Sequence, residues 1–400
     1  MKKLSALILS ASLLIPAVSG TAQAADDSGY KFTVTSEDGC VTIRGASGHG
    51  ETLNIPETIN GMPVAAIADF MFAGSTELTS ITLPDSIKTI GKKAFSNCAK
   101  LTNVYIGSSA ETIDEQAFYA CPKLQRISIS TDNKTYHSEN GSLYKGDSLL
   151  IYAGSNNAVI SDTTASIGNY AFFGRTELSS VTIPESVKSI GDYAFSGCLG
   201  LKSIIIPDSV TTVGTHCFLS CTELAAVKLG DSLRAIPNSC FHSCTSLKNV
   251  HIPDSVTDID THAFYSCDSL SALYIPSAVS TIVTDAVGRK YSIRTDKDEN
   301  ISTLTIYSEA NSAAEKYASY MGLSFKAGTA FTSGDINADS IIDGKDASMA
   351  LTEYALISSG KSGKFTDIQT LSADFNYDSI VDGKDASAIL SYYAFTSVSQ

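Results

Sequence analysis

Tryptophan is absent from this 400-residue sequence, methionine occurs only 5 times, and Lys plus Arg (28) are outnumbered by Asp plus Glu (42). The resulting formal net charge of −14 excludes a basic groove for phosphates, so neither nucleic acid nor an anionic membrane surface is expected as a partner. Beyond the first 24 residues there is no run of eighteen apolar residues, which excludes a helical membrane span. Also missing are His-Glu-x-x-His, Gly-x-Ser-x-Gly and a phosphate-cradling glycine loop. The 6 histidines are scattered. Without tryptophan, the broad platform on which sugar rings stack is lost. Carboxylates abound, but a glycosidase needs two of them at fixed separation in a cleft. A non-catalytic protein is expected.

The chain opens with Lys2 and Lys3, an apolar stretch from Leu4 to Val18, and Ala22-x-Ala24 as a small-residue cleavage site. This pattern predicts a signal peptide over 1–24 and a mature chain secreted from Ala25 onward. Loss of Lys2 and Lys3 takes the net charge to about −16.

A leucine returns at 78, 101, 124, 178, 201, 224, 247 and 270, always 23 residues apart except for a 54-residue step after Leu124. One unit reads KSIIIPDSVTTVGTHCFLSCTEL (202–224). Ile204 and Ile206 share one face of a short strand, and Pro207 ends it, because proline has no amide hydrogen for a ladder. Val213, Cys217, Phe218 and Cys221 supply a second inward set. A single unit cannot bury its apolar face, but stacked copies can, so the period predicts a solenoid of parallel strands. The unit resembles the BspA-type leucine-rich repeats of bacterial surface proteins. The resemblance implies repeats over 53–328, a β-rich cap over 25–52, and a closing strand and helix in LTIYSEANSAAEKYASYMGLSF (304–325).

Six of the nine cysteines (98, 121, 198, 221, 244, 267) sit three residues before a ladder leucine, and Cys217 and Cys240 replace the alanine of an Ala-Phe pair. This phase points to buried thiols acting as small apolar residues, with bridging between adjacent rungs as the alternative. Cys40 falls outside the phase. His216, His242 and His262 fall in repeat turns where other units carry other residues. The insertion at 132–154 has two β-prone segments around Gly146-Asp147 and reads as a hairpin. Each strand also has one outward residue, and in this row Tyr105, Ile205, Lys228, His251 and Tyr274 are the candidates for contact with a protein partner.

The phrase DINADSIIDGKDAS (335–348) returns as DFNYDSIVDGKDAS (374–387) with eleven of fourteen positions identical. In an EF-hand-type loop, ligands come from positions 1, 3, 5, 7 (its carbonyl), 9 and 12. Those positions are Asp335, Asn337, Asp339, Ile341, Asp343 and Asp346 in the first copy. In the second they are Asp374, Asn376, Asp378, Ile380, Asp382 and Asp385. Hard oxygens in this number suit two calcium ions. The apolar-periodic segments that follow predict helices that pack Leu351, Leu390, Tyr354 and Tyr393 inward. Serine stands at position 6 in place of glycine, aspartate at position 12 in place of glutamate, and no helix precedes either loop.

Two loop-then-helix copies with aspartate at position 12 resemble the dockerin module of cellulosomal proteins, over 334–400 after a linker at 329–333. The family implies calcium-stabilised plugging into a cohesin domain of a scaffoldin, by Gly344, Lys345, Ala347 and Ser348 or their mirrors Gly383, Lys384, Ala386 and Ser387. The fold expected is thus a leucine-rich-repeat solenoid of short parallel strands and short helical or irregular turns, plus a small α-helical dockerin with two EF-hand-like calcium loops. By this resemblance, the chain is a secreted cellulosome component at the cell surface whose repeats bind a protein. The alternative is an unrecognised hydrolase, or a cell-wall or carbohydrate-binding protein, delivered to its substrate by the dockerin.

Overall fold

The computed structural model describes residues 18–20, 30–48, 50–328, 334–337, 341–365, 367–375 and 380–398. The leader and the 329–333 linker lie outside this set, apart from Val18–Gly20, a strand antiparallel to Val34–Ser36. Lys31–Glu37 and Cys40–Ser47 form an antiparallel hairpin, and the second of these strands pairs in parallel with Met62–Ile67. The cap is therefore continuous with a sheet of the solenoid.

Each rung lays down two strands. The first row includes Ser80–Leu83, Asn103–Ile106 and Arg126–Ile129, in parallel register with Ile81 opposite Val104 opposite Ile127. Past the insertion it resumes through Ser203–Ile205, Ala226–Lys228 and Asn249–His251. The second row is made of two-residue strands such as Ser166–Ile167, Ser189–Ile190 and Thr212–Val213. Alternation in the sequence predicts only the first row, since two residues carry no period.

The turn after each first strand explains the Pro-Asp-Ser of the repeat. Val210 N–H donates to the Pro207 carbonyl at 3.0 Å. Asp85 Oδ1 accepts from Ser108 N–H at 2.7 Å in the next rung, and Ser209 Oγ donates to the Val187 carbonyl at 2.7 Å in the previous one. These side chains join rung to rung. Inside, Phe195, Phe218, Phe241 and Phe264 stack with centroids 5.2–5.3 Å apart and nearly parallel rings. All nine cysteines are free thiols, and eight are buried. Those three residues before a leucine donate to a phenylalanine carbonyl of the preceding rung, as Cys221 does to Phe195 at 3.1 Å and Cys244 to Phe218 at 3.2 Å. Burial pushes the Cys198 thiol up to about 12, so these groups stay protonated and inert.

The insertion is more than a projecting hairpin. His137–Glu139, Ser142–Lys145 and Ser148–Ile151 run antiparallel, but the last also pairs in parallel with Ser166–Ile167 and so belongs to the second row. It interrupts the core, which forms one cluster from Tyr30 to Ala153 and another from Tyr144 to Ala318. Arg175 takes the cysteine position in the next rung and bridges this seam. Its guanidinium donates to the carbonyls of Leu124 and Gly154, both at 2.6 Å, and lies 5.4 Å from the Tyr152 ring.

Toward the C-terminus a second hairpin, Arg289–Ser292 with Lys297–Asn300, interrupts the repeat where the sequence shows only decay of the pattern. The strands Ala272–Tyr274, Thr305–Ser308 and Ser324–Ala327 then end the first row. Helix α1 (Ala313–Met321), capped by Ser312 and by Gly322 in the left-handed region, closes the solenoid. Tyr317 of α1 exchanges hydrogen bonds with the Val287 backbone. Beyond it come α2 (Gly344–Ser358), α3 (Asp367–Ala373) and α4 (Gly383–Val398), with α2 packed on α4.

Candidate interaction surfaces

The outward row of the first strands is mixed in character. Tyr105 (40% exposed) and Ile205 (51%) are open to solvent. Lys228 and His251, side by side on paired strands, are half-buried. Burial, then the neighbouring Lys228 charge, holds the His251 imidazole down at about 4. Tyr274 corrects the sequence expectation: it points outward but is only 6% exposed, in a cluster with Ala272 and Tyr307. Val159, 72% exposed at the same row position, was missed because the insertion hides its phase.

In the C-terminal unit the two halves match. Asp343 caps α2, its Oδ1 accepting from Lys345 N–H at 2.7 Å, and Asp382 does the same for Lys384 at 2.6 Å. The Asp346 carboxylate is fully buried and accepts from the amides of Ile336 (2.8 Å), Asn337 (3.2 Å) and Asp343 (2.9 Å). It thereby closes the first loop onto the helix start. Asp385, equally buried, accepts from Asp382 N–H at 2.8 Å. Asp335 and Asp374 are buried beside them, while Ile341 and Ile380 are exposed. Three of the expected ligands, Asp339, Asn376 and Asp378, lie outside the described residues. Among the described residues no three acidic, histidine or cysteine side chains converge as a metal cage.

Two corrections concern the helices. Leu351 and Leu390 (both 45% exposed), with Tyr354 and Tyr393 (43% and 42%), face solvent rather than the core. The inward stripe is Ala347, Ala350, Ala386 and Ile389, small enough to bring α2 and α4 close together. Ala347 and Ala386, at 2% exposure, are therefore inside the unit and cannot touch a partner. Lys345, Ser348, Lys384 and Ser387 are exposed, and Gly344 and Gly383 are partly so. Glu353, whose mirror position is Tyr392, is also buried. Its carboxylate accepts from Lys364 and Phe365 N–H at 2.8 and 3.0 Å, tying down the connection after α2.

Stacked 23-residue rungs with a leucine at each turn and a long parallel-strand face define a leucine-rich-repeat solenoid. The chain belongs to the BspA-type leucine-rich repeat family, whose signature matches residues 50–164 and 165–294 in six copies. Among solved structures, a leucine-rich repeat protein from Eubacterium ventriosum is similar at 20% identity, covering 66% of this chain and 93% of that one, with a TM-score of 0.44. A leucine-rich cell surface protein from Faecalibacterium prausnitzii shares 20% identity over 76% and 98% of the two chains, with a TM-score of 0.36. The pneumococcal vaccine antigen PcpA shares 15% over 78% and 100%, with a TM-score of 0.41. No curated protein matches the sequence. A solenoid of this kind mediates protein–protein contact through its extended face, and no helix among the described residues is long and apolar enough to cross a membrane.

Proposed function

We propose that this chain is a secreted, non-catalytic cellulosome component. Its repeats bind a protein, and its C-terminal unit is a dockerin that plugs into a scaffoldin cohesin when calcium is bound, which would hold the chain at the cell surface. The observation that carries this reading is the matched exposure of Ile341 with Ile380, Leu351 with Leu390 and Tyr354 with Tyr393. A unit built only to staple itself would bury its largest apolar side chains. Here the same three types are left outside twice, beside the exposed Lys345 and Lys384, as two equivalent docking faces would require.

The donor set fits calcium. Buried Asp335 and Asp346, with Asp343 at the helix start, bring hard oxygens to one loop, and Asp374, Asp385 and Asp382 repeat this in the other. Asp339, Asn337, Asn376, Asp378 and the carbonyls of Ile341 and Ile380 would complete the two shells. Bound cations would neutralise the mutual repulsion of these carboxylates and order the loops.

The test is binding of the full chain to a panel of cohesins, with and without a chelator, together with calcium calorimetry. Calcium-dependent capture is expected, and Asp335→Ala with Asp374→Ala should abolish calcium uptake while leaving the solenoid folded. Changing Lys345 and Ser348 to glutamate should weaken binding only about twofold, roughly 0.4 kcal/mol, because the Lys384 and Ser387 face remains; the combined variant should fail. Capture by no cohesin, or capture indifferent to chelation, would refute the docking assignment.

A further inference from the structure

The outward row of the strand face changes character toward the C-terminus. At Tyr105 and Ile205 it is open, whereas at Tyr274 (6% exposed) and Tyr307 (8%) it is closed. These two tyrosines sit opposite each other on paired strands and form with Ala272 an apolar cluster separate from the solenoid core. They point away from the rungs, so no rung can cover them. What lies against Ala272–Tyr274 is α3 of the C-terminal unit.

Tether and charge both favour this seat. Gly328, just past the strand Ser324–Ala327, and Gly334 are separated by five residues, so the six steps between them span at most roughly 20 Å. Ser324–Ala327 lies two strands from Ala272–Tyr274 in the same sheet, about 10 Å away. A short tether of this kind gives an effective concentration on the order of millimolar, enough to seat a contact too weak to hold two separate molecules. Residues 334–400 carry ten acidic and four basic side chains, a net −6. The row they approach carries Lys228 and Lys326, the latter 5.6 Å over the Tyr307 ring.

We infer that the C-terminal end of the strand face is an intramolecular docking surface whose occupant is the chain's own α3, leaving the Tyr105-to-Ile205 length open to an outside protein. The inference needs neither calcium in the loops nor a cohesin on the helices. A partner that required the Tyr274 end would have to displace the unit. Conversely, pulling the unit away would bare the Ala272–Tyr274–Tyr307 patch.

The test uses the full chain. Tyrosine-selective nitration read by peptide mass spectrometry should modify Tyr274 and Tyr307 at least several-fold more slowly than exposed Tyr105 and Tyr320. In parallel, Tyr274→Glu with Tyr307→Glu should raise the radius of gyration measured by small-angle scattering. The solenoid circular dichroism should stay unchanged, since both side chains point outward. Nitration of Tyr274 as fast as that of Tyr105, or identical scattering from wild type and variant, would overturn the inference. Should the variant unfold, the wild-type nitration rates still decide.

Discussion

Phe218→Ala removes the middle ring of an aromatic column. Phe218 is fully buried between Phe195 and Phe241, with centroids 5.3 and 5.2 Å away. Its carbonyl also receives the Cys244 thiol of the next rung. Truncating a buried phenylalanine costs about 3–5 kcal/mol through lost burial and the cavity left behind. Two stacking partners, each worth roughly 0.5–1.5 kcal/mol beyond burial, place this site in the upper part of that range. Neighbouring rungs cannot close the gap without breaking the 23-residue register that both strand rows share. Urea unfolding followed by far-UV circular dichroism would measure the loss, with outward Thr182→Ala as a control expected to change stability by less than about 0.5 kcal/mol. Equal losses at the two positions would show that the inward and outward faces are assigned wrongly.

Arg175→Ala should cost about 3 kcal/mol, because two charge-assisted hydrogen bonds to the Leu124 and Gly154 carbonyls are lost at the seam. Arg175→Lys should not restore it, since an ammonium lacks the fork that spans both carbonyls; thermal melts that leave either variant at wild-type stability would refute this role. For His251, the folded value of about 4 lies below the ordinary 6.5. Below pH 6.5 the unfolded chain therefore takes up a proton that the folded chain does not. This contribution is fully present above pH 6.5 and is lost as pH falls to 4, by at most about 3 kcal/mol. Chemical denaturation across that range should show a smaller pH dependence in His251→Asn than in wild type.

Much of the solenoid was legible because its information is periodic. The leucines at 23-residue spacing, the cysteines three residues before them and the Ile-Pro strand ends all repeat, and a repeat stands out from noise. Features lacking a period were not legible. The two-residue strands of the second row are too short to alternate, and the hairpin at Arg289–Asn300 reads as decay of the pattern. In the C-terminal helices, two stripes at helical spacing compete, Leu351 with Tyr354 and Ala347 with Ala350. The larger residues suggested the core, but close approach of α2 and α4 selects the smaller ones. Tyr274 holds an outward row position that the period identifies correctly; its cover comes from α3, nearly a hundred residues later, which no local pattern announces.

Because both strand rows advance by the same 23 residues, the length of this protein is quantised. Excising 202–224 would join Leu201 to Ala225, bring Ser180–Thr182 opposite Ala226–Lys228, and set Phe195 against Phe241. Every carbonyl, thiol and ring would find an equivalent partner, whereas a deletion of any other size would turn leucines outward. Unequal recombination between near-identical units of the coding sequence therefore yields folded products in whole steps. Each step shortens or lengthens the face by one strand, about 4.8 Å, while the cap and the C-terminal unit are inherited unchanged.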